Sequence, residues 1–179
     1  MEHIYREIEL LSHCCSPHVV RFYDAWIESD DILYIHMQMC SNTNLRNIIN
    51  QKAECFERQN SEQMYHIEFY ISCQIFREIM ECVRYLHELN PPIIHRDLKP
   101  ENFLILEKPR NKNFLQLCDF GLSRFTQEGS ATMTGGRGTS LYMPFELFGM
   151  NGKSRYDHRV DIHSCGVIAT QLFDIDINS

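Results

Sequence analysis

At 179 residues the chain is long enough for one domain with a sizeable core, and its 44% apolar content excludes a disordered polypeptide. Seventeen basic against 24 acidic residues leave a net charge of −7, which excludes general nucleic-acid binding and leaves no basic stripe for anionic lipid. No run of about 18 apolar residues is present to span a membrane, and Met1 to Glu7 lack the apolar stretch of a secretory signal, so a cytoplasmic protein is expected.

Residues 3–11 place Ile4, Ile8 and Leu11 at i, i+4 and i+7 among charged residues, which predicts an amphipathic helix. Ser16-Pro17 breaks it, and Val19 to Ile27 reads as a strand. After a turn at Ser29-Asp30-Asp31, Leu33, Ile35, Met37 and Met39 alternate with polar or amphipathic residues in a second strand. The two predict an antiparallel hairpin. Thr43 or Asn44 can cap a short helix ending near Gln51, and residues 52–61 show no pattern. From Glu62 to Glu88 runs the longest predicted helix. Ile67, Ile71, Ile75, Ile79 and Val83 recur every fourth residue, flanked by Phe76, Met80 and Leu86, and a face that wide belongs in a core. Pro91-Pro92 ends it. Phe103 to Leu106 and Phe114 to Cys118 read as short strands around a charged loop, Glu107 to Asn113. The stretch from Ser130 to Thr139 has no period, and a last apolar helix starts near Asp161 with Ile162, Val167, Ile168 and Leu172. Helix, strands, then mainly helices give an α+β class.

None of the eight cysteines belongs to a Cys-x-x-Cys pair, and most sit among apolar residues, so they read as reduced, buried thiols. His13-Cys14-Cys15 with His18 lacks a second ligand pair and does not read as a zinc site.

The richest stretch is His95-Arg96-Asp97-Leu98-Lys99-Pro100-Glu101-Asn102, followed by Asp119-Phe120-Gly121. Phosphoryl transfer is mostly positioning and charge neutralisation. It needs one carboxylate to orient the attacking hydroxyl and ligands for the Mg²⁺ that bridges the nucleotide phosphates. Asp97 suits the first task, and Asn102 and Asp119 suit the second. A lone His-Arg-Asp arises by chance on any loop, but eight consecutive matching positions with a second motif downstream do not.

On these motifs the chain resembles the eukaryotic protein kinase superfamily along essentially its whole length. Lys99 and Pro100 between Asp97 and Asn102 look like the serine/threonine branch. Tyr23 to Glu28, Leu33 to Cys40 and Gly138 to Met143 are similar to kinases of the alpha subunit of eukaryotic initiation factor 2. The resemblance implies a partial two-lobed fold, with residues 1–40 the rest of a small lobe with its hinge and 41–179 an incomplete large lobe. It implies ATP and Mg²⁺ as cofactors and a protein substrate, that alpha subunit being a candidate, with no nucleic acid or membrane as partner. Glu7 is then the regulatory-helix glutamate, Met37 the gatekeeper, and Gln38, Met39 and Cys40 the adenine-binding hinge, with Leu104 beneath the ring. Leu11, His95 and Phe120 fit an apolar spine. Lys99 approaches the transferred phosphate, Thr139 supports Asp97, and Asp161 caps the last helix and holds the catalytic-loop backbone. Arg96 is placed to receive a phosphate on the segment offering Thr126, Ser130, Thr132 and Thr134, of which Thr134 aligns best with an activating threonine.

Each of these has a bland counterpart. Glu7 alone is a solvated helix charge, Met37 and Leu104 are core residues, and Asp161 before an apolar helix is an N-cap. Within the 179 residues no Gly-x-Gly-x-x-Gly loop or Val-Ala-Ile-Lys strand precedes the first helix. Glu7 then lacks a lysine partner, which costs on the order of 3–5 kcal/mol for a buried carboxylate. Glu146 lacks its arginine, and the usual Pro-Glu pair reads Pro144-Phe145-Glu146. The isolated chain is therefore expected to be weakly active or inactive. The rival expectation is a catalytically dead, kinase-like module that sequesters a partner or substrate.

Overall fold

The computed structural model describes residues 2–28, 32–59, 62–110, 113–126, 140–144 and 157–176. The first helix, α1, runs Glu2–His13 and turns Leu10 and Leu11 inward, while Ile4 in its first turn is exposed. Strands β1 (Phe22–Ile27) and β2 (Leu33–Met37) form the expected antiparallel hairpin, with Trp26 opposite Tyr34 and a bulge between Phe22 and Asp24. The Trp26 and Tyr34 rings stack on its exposed side, 5.5 Å apart and 10° from parallel. β1 begins three residues after its expected start at Val19. The Val19–Val20 stretch is instead stitched to a later strand: Val19 bridges Leu117, and the Val20 N–H donates to the Leu117 carbonyl at 3.0 Å. Both valines are buried there.

Helix α2 (Leu45–Cys55) starts from a reciprocal cap in which the Asn47 N–H donates to Asn44 Oδ1 at 3.2 Å and the Asn44 N–H to Asn47 Oδ1 at 2.9 Å. It runs four residues past Gln51, over part of the stretch expected to lack structure. Polar composition misled the expectation, because these charges are paired. Lys52 buries its stem and donates to the Leu172 carbonyl at 2.7 Å and to Asp174 at 2.8 Å. Arg58 is fully enclosed, gripping Glu68 through two bonds of 2.7 and 2.5 Å and also Asp174.

Helix α3 (His66–Glu88) begins four residues later than Glu62, and its first turns bury polar Glu68 and Ser72 while the apolar burial starts at Ile75. Ile75, Ile79, Cys82, Val83 and Leu86 join the core, whereas Ile67 and Ile71 are 57% and 41% exposed, so the expected all-core face holds for half its length. Glu78 accepts the Phe114 and Leu115 N–H groups, both at 2.9 Å, and His87 reaches Asp161.

Strands β3 (Ile93–Ile94), β4 (Phe103–Arg110), β5 (Asn113–Leu117) and β6 (Arg124–Phe125) pair as β3 with β6 and β4 with β5, both antiparallel. The charged loop expected over Glu107 to Asn113 is largely strand, with Arg110 opposite Asn113. Helix α4 (Arg159–Leu172) starts before Asp161, so Asp161 lies in its first turn and is not the cap; His158 precedes the helix without a side-chain capping bond. Cys165, Ile168 and Leu172 face the core, and Ile162 faces out. Helices packed on small antiparallel sheets give the α+β class. Among the described residues no helix is long and apolar enough to cross a membrane.

Candidate active site

The buried pair Ile93–Ile94 delivers the chain into the loop from His95 to Asn102, and a carboxylate from α4 shapes that loop. Asp161, wholly buried, accepts the His95 N–H at 2.9 Å, the Arg96 N–H at 2.8 Å and His87 Nε2 at 2.8 Å. The grip matters because Arg96 has φ of +71°, a left-handed conformation costing about 1–3 kcal/mol for a residue with a large side chain. Ser123 Oγ adds a bond to the His95 carbonyl at 3.1 Å. The His95 ring packs edge-on against Phe120, centroids 5.1 Å apart, and Leu11, His95 and Phe120 are all buried. His95 Nε2 faces the Cys118 carbonyl at 3.2 Å; a carbonyl only accepts, so this nitrogen carries the proton. Burial lowers the His95 pKa against the pull of Asp161 and Asp119, which keeps the ring neutral.

Asp97, Lys99 and Asn102 are tied together directly. Lys99 Nζ donates to Asp97 Oδ2 at 2.6 Å, Asn102 Nδ2 donates to the Asp97 carbonyl at 2.9 Å, and Pro100–Asn102 form one 3-10 turn. Asp119 joins through its neighbour, since the Cys118 N–H donates to the Asn102 carbonyl at 3.0 Å. Asp119 has φ of +65°, a conformation aspartate tolerates. Burial lowers the Lys99 pKa, but the Asp97 hydrogen bond and the charges of Asp97, Asp119 and Glu101 outweigh it and the net shift is upward. The ammonium therefore stays charged against the Asp97 carboxylate. Glu7 converges from α1: a Cβ on Gly121 would stand 3.4 Å from Asp119 Oδ1 and 3.8 Å from Glu7 Oε2. Burial first, and then the Asp119 charge, raise the Glu7 pKa.

The stretch from Met37 to Cys40 meets β5. The Gln38 N–H donates to the Arg21 carbonyl at 2.7 Å, Gln116 Nε2 lies 3.4 Å from Gln38 Oε1, and Cys40 Sγ lies 3.6 Å from Gln116 Oε1. Leu104 pairs with the same Gln116 and is half-buried, which brings it beside this stretch. Met37 is 42% exposed and Met39 92% exposed, so neither is a core residue among the described residues. Thr134, Thr139 and Glu146 lie outside the described residues. Among the described residues no cluster of three or more His, Cys, Asp or Glu side chains is placed to hold a metal ion, including the His13-Cys14-Cys15 stretch.

With this arrangement in view, the Protein kinase domain family matches residues 1–176. The chain belongs to the protein kinase family. It is 33% identical over 169 residues to calcium/calmodulin-dependent protein kinase cmkA of Emericella nidulans, covering 94% of this chain and 36% of that protein. It is 33% identical over 168 residues to the ovarian-specific serine/threonine-protein kinase Lok of Drosophila melanogaster, covering 93% and 32%. Tousled-like 1 of Mus musculus is 29% identical over 178 residues, covering 95% and 21%. The crystal structure of the yeast RNA Pol II CTD kinase CTDK-1 complex contains a chain similar at a TM-score of 0.72 and 28% identity, covering 97% of this chain and 50% of that one. This kinase chain thus spans about a third or less of the curated relatives named here.

Three residues that brace this region escaped sequence reasoning. His87 and Glu78 lie on α3 in an amphipathic pattern that any surface helix shows, and Arg46 reads as an ordinary helix charge. Their partners stand between 36 and 125 residues away, so no local spacing marks them.

Proposed function

We propose that this chain is the phosphotransfer portion of a serine/threonine protein kinase, moving the γ-phosphoryl group of ATP to a protein hydroxyl. The observation that carries the reading is the single knot of Asp97, Lys99 and Asn102, with Asp119 one residue beyond its tie to Cys118. Asp97 orients the substrate hydroxyl and takes its proton as the new oxygen–phosphorus bond forms and the bond to the leaving ADP oxygen breaks. Lys99 lies 2.6 Å from Asp97 and places positive charge where the phosphoryl group passes.

Asn102 spends its Nδ2 on the Asp97 carbonyl, which leaves its side-chain oxygen to serve as a metal ligand together with the Asp119 carboxylate. An all-oxygen set with a single carboxylate suits Mg²⁺, which takes its other ligands from phosphates and water. Bound there, Mg²⁺ supplies charge neutralisation. In this reading residues 1–40 are the end of a small lobe and 41–179 the large lobe. Gln38 to Cys40 receive adenine on backbone groups, with Met37 behind and Leu104 beneath it. Arg96 reads a phosphate on Thr134, Thr139 supports Asp97, and Glu7 serves as the regulatory glutamate of a cytoplasmic enzyme.

The finer reading is that the substrate is the alpha subunit of initiation factor 2. It rests on the resemblance of Tyr23 to Glu28, Leu33 to Cys40 and Gly138 to Met143. Incubating the full-length gene product and its Asp97→Asn variant with radiolabelled ATP tests the reaction. Transfer should fall about 10²–10⁴-fold in the variant, and incorporation indifferent to the substitution would remove the assigned base. Offering the purified alpha subunit tests the target separately; absence of transfer to it, with transfer to other proteins, removes that target alone.

A further inference from the structure

Helices α2, α3 and α4 do not close completely on one another. Between them lies a cavity of about 170 Å³, walled by Ile48 and Phe56 from the side of α2, Ile71 and Ile75 from α3, and Leu172 from α4. Ile75 and Leu172 belong to the buried core and Ile71 is partly exposed, so the cavity reaches from the core to the surface. Lys52 and Glu68 also line it, and both charges are already answered, Lys52 by the Leu172 carbonyl and Asp174, Glu68 by Arg58. Ser72 is different. It is 2% exposed and lines the same space, and its hydroxyl has no hydrogen-bond partner among the described residues. Cys55, an exposed lining residue at the end of α2, marks the mouth.

An apolar cavity of about 150 Å³ lined by aliphatic and aromatic side chains stays dry and accepts benzene. The space here is of that size, and Phe56 offers a six-membered ring an aromatic neighbour. A charged ligand gains nothing, because Lys52 and Glu68 are spent on other partners and burying a further charge is costly. A hydroxyl on the ring, by contrast, meets the one polar group left over, Ser72. We propose that this cavity is a binding site for a small uncharged aromatic molecule bearing one hydroxyl, a phenol. Its occupant lies behind α2, and α2 borders the candidate active site: Asn44 at its start bridges Leu104, and Arg46 Nε donates to Glu101 Oε1 at 2.8 Å. Filling the cavity therefore braces the helix against which that site is built. The inference does not depend on the kinase reading, and its test needs no catalysis.

The experiment follows alkylation of Cys55 by N-ethylmaleimide in the full-length gene product, with each cysteine resolved by mass spectrometry. The probes are phenol, benzene, benzoate and benzylammonium, each titrated in turn, and the exposed Cys15, on the far side of α1, is the internal control. Phenol and benzene should slow Cys55 labelling saturably, leaving Cys15 unchanged, and the concentration dependence gives their dissociation constants. Benzoate and benzylammonium should leave both cysteines unprotected. Ser72→Ala should weaken phenol about tenfold, the scale of a buried hydroxyl left without a partner, and should not weaken benzene. Ser72→Leu, which fills the space, should abolish protection by both; if that variant does not fold, wild type and Ser72→Ala decide the matter. Unsaturable or absent protection of Cys55 in wild type overturns the proposal. So does equal protection by the charged probes, or phenol binding that is indifferent to Ser72→Ala.

Discussion

Asp161 does its work far from where its sequence context points. An aspartate ahead of an apolar run reads as a helix cap, yet it sits inside the first turn of α4, and its two oxygens hold His95, Arg96 and His87. Replacing it with alanine strips two buried backbone N–H groups of their acceptor beside a left-handed Arg96, at about 1–3 kcal/mol for each group. The urea midpoint of Asp161→Ala should therefore fall by the equivalent of about 3 kcal/mol or more; an unshifted midpoint contradicts the assigned grip. Asp97, Lys99, Asn102 and Asp119, which the fold gathers around one loop, could be singled out from the chain because the proposed phosphotransfer chemistry calls for their types and spacing in short windows. His87 and Arg46 could not, because an ordinary residue becomes special only when the fold brings its partner across 74 or up to 125 positions.

The helices show where periodicity works and where it stops. The stripe of isoleucines located α3 and its end, but it could not say which turns would find neighbours. Ile79 is wholly buried and Ile67 is 57% exposed, although the pattern treats them alike. Ile79→Ala should cost about 2–5 kcal/mol by leaving a cavity in the core. Ile67→Ala should stay within about 0.5 kcal/mol, as for other surface truncations. Equal losses in chemical denaturation would mean that Ile67 packs as Ile79 does. The two-residue strands β3 and β6 were invisible for a different reason: two positions cannot display a period. The stretch after Gln51 was misread because charge pairing, unlike an apolar stripe, has no local signature. Arg58 is ordered by Glu68 and Asp174, the latter 116 residues away.

At the scale of the whole molecule, all eight cysteines are free, as their spacing suggested, but Cys14, Cys82 and Cys165 alone are buried, against the expectation that burial would be general. Burial pushes the thiols of Cys14, Cys118 and Cys165 up to about 12 and that of Cys82 higher still, so they are protonated at neutral pH and poor nucleophiles. In native protein a thiol reagent should modify the exposed Cys15 and Cys55 first and reach Cys82 and Cys165 only on unfolding, with a reducing agent leaving the melting temperature unchanged. Rapid labelling of Cys165 in the folded protein is the contrary result. The α+β class was legible at this scale because element order alone decides it, whereas the mooring of one element to another was not. The stacked indole on the hairpin has an experimental corollary. Trp26 is the only tryptophan, and it sits at the surface against Tyr34. Intrinsic emission excited at the red edge of the aromatic band thus reports on the β1–β2 ribbon and is blind to the interior. An optical melt of this protein tracks a peripheral flap, and only circular dichroism or calorimetry follows the body beneath it.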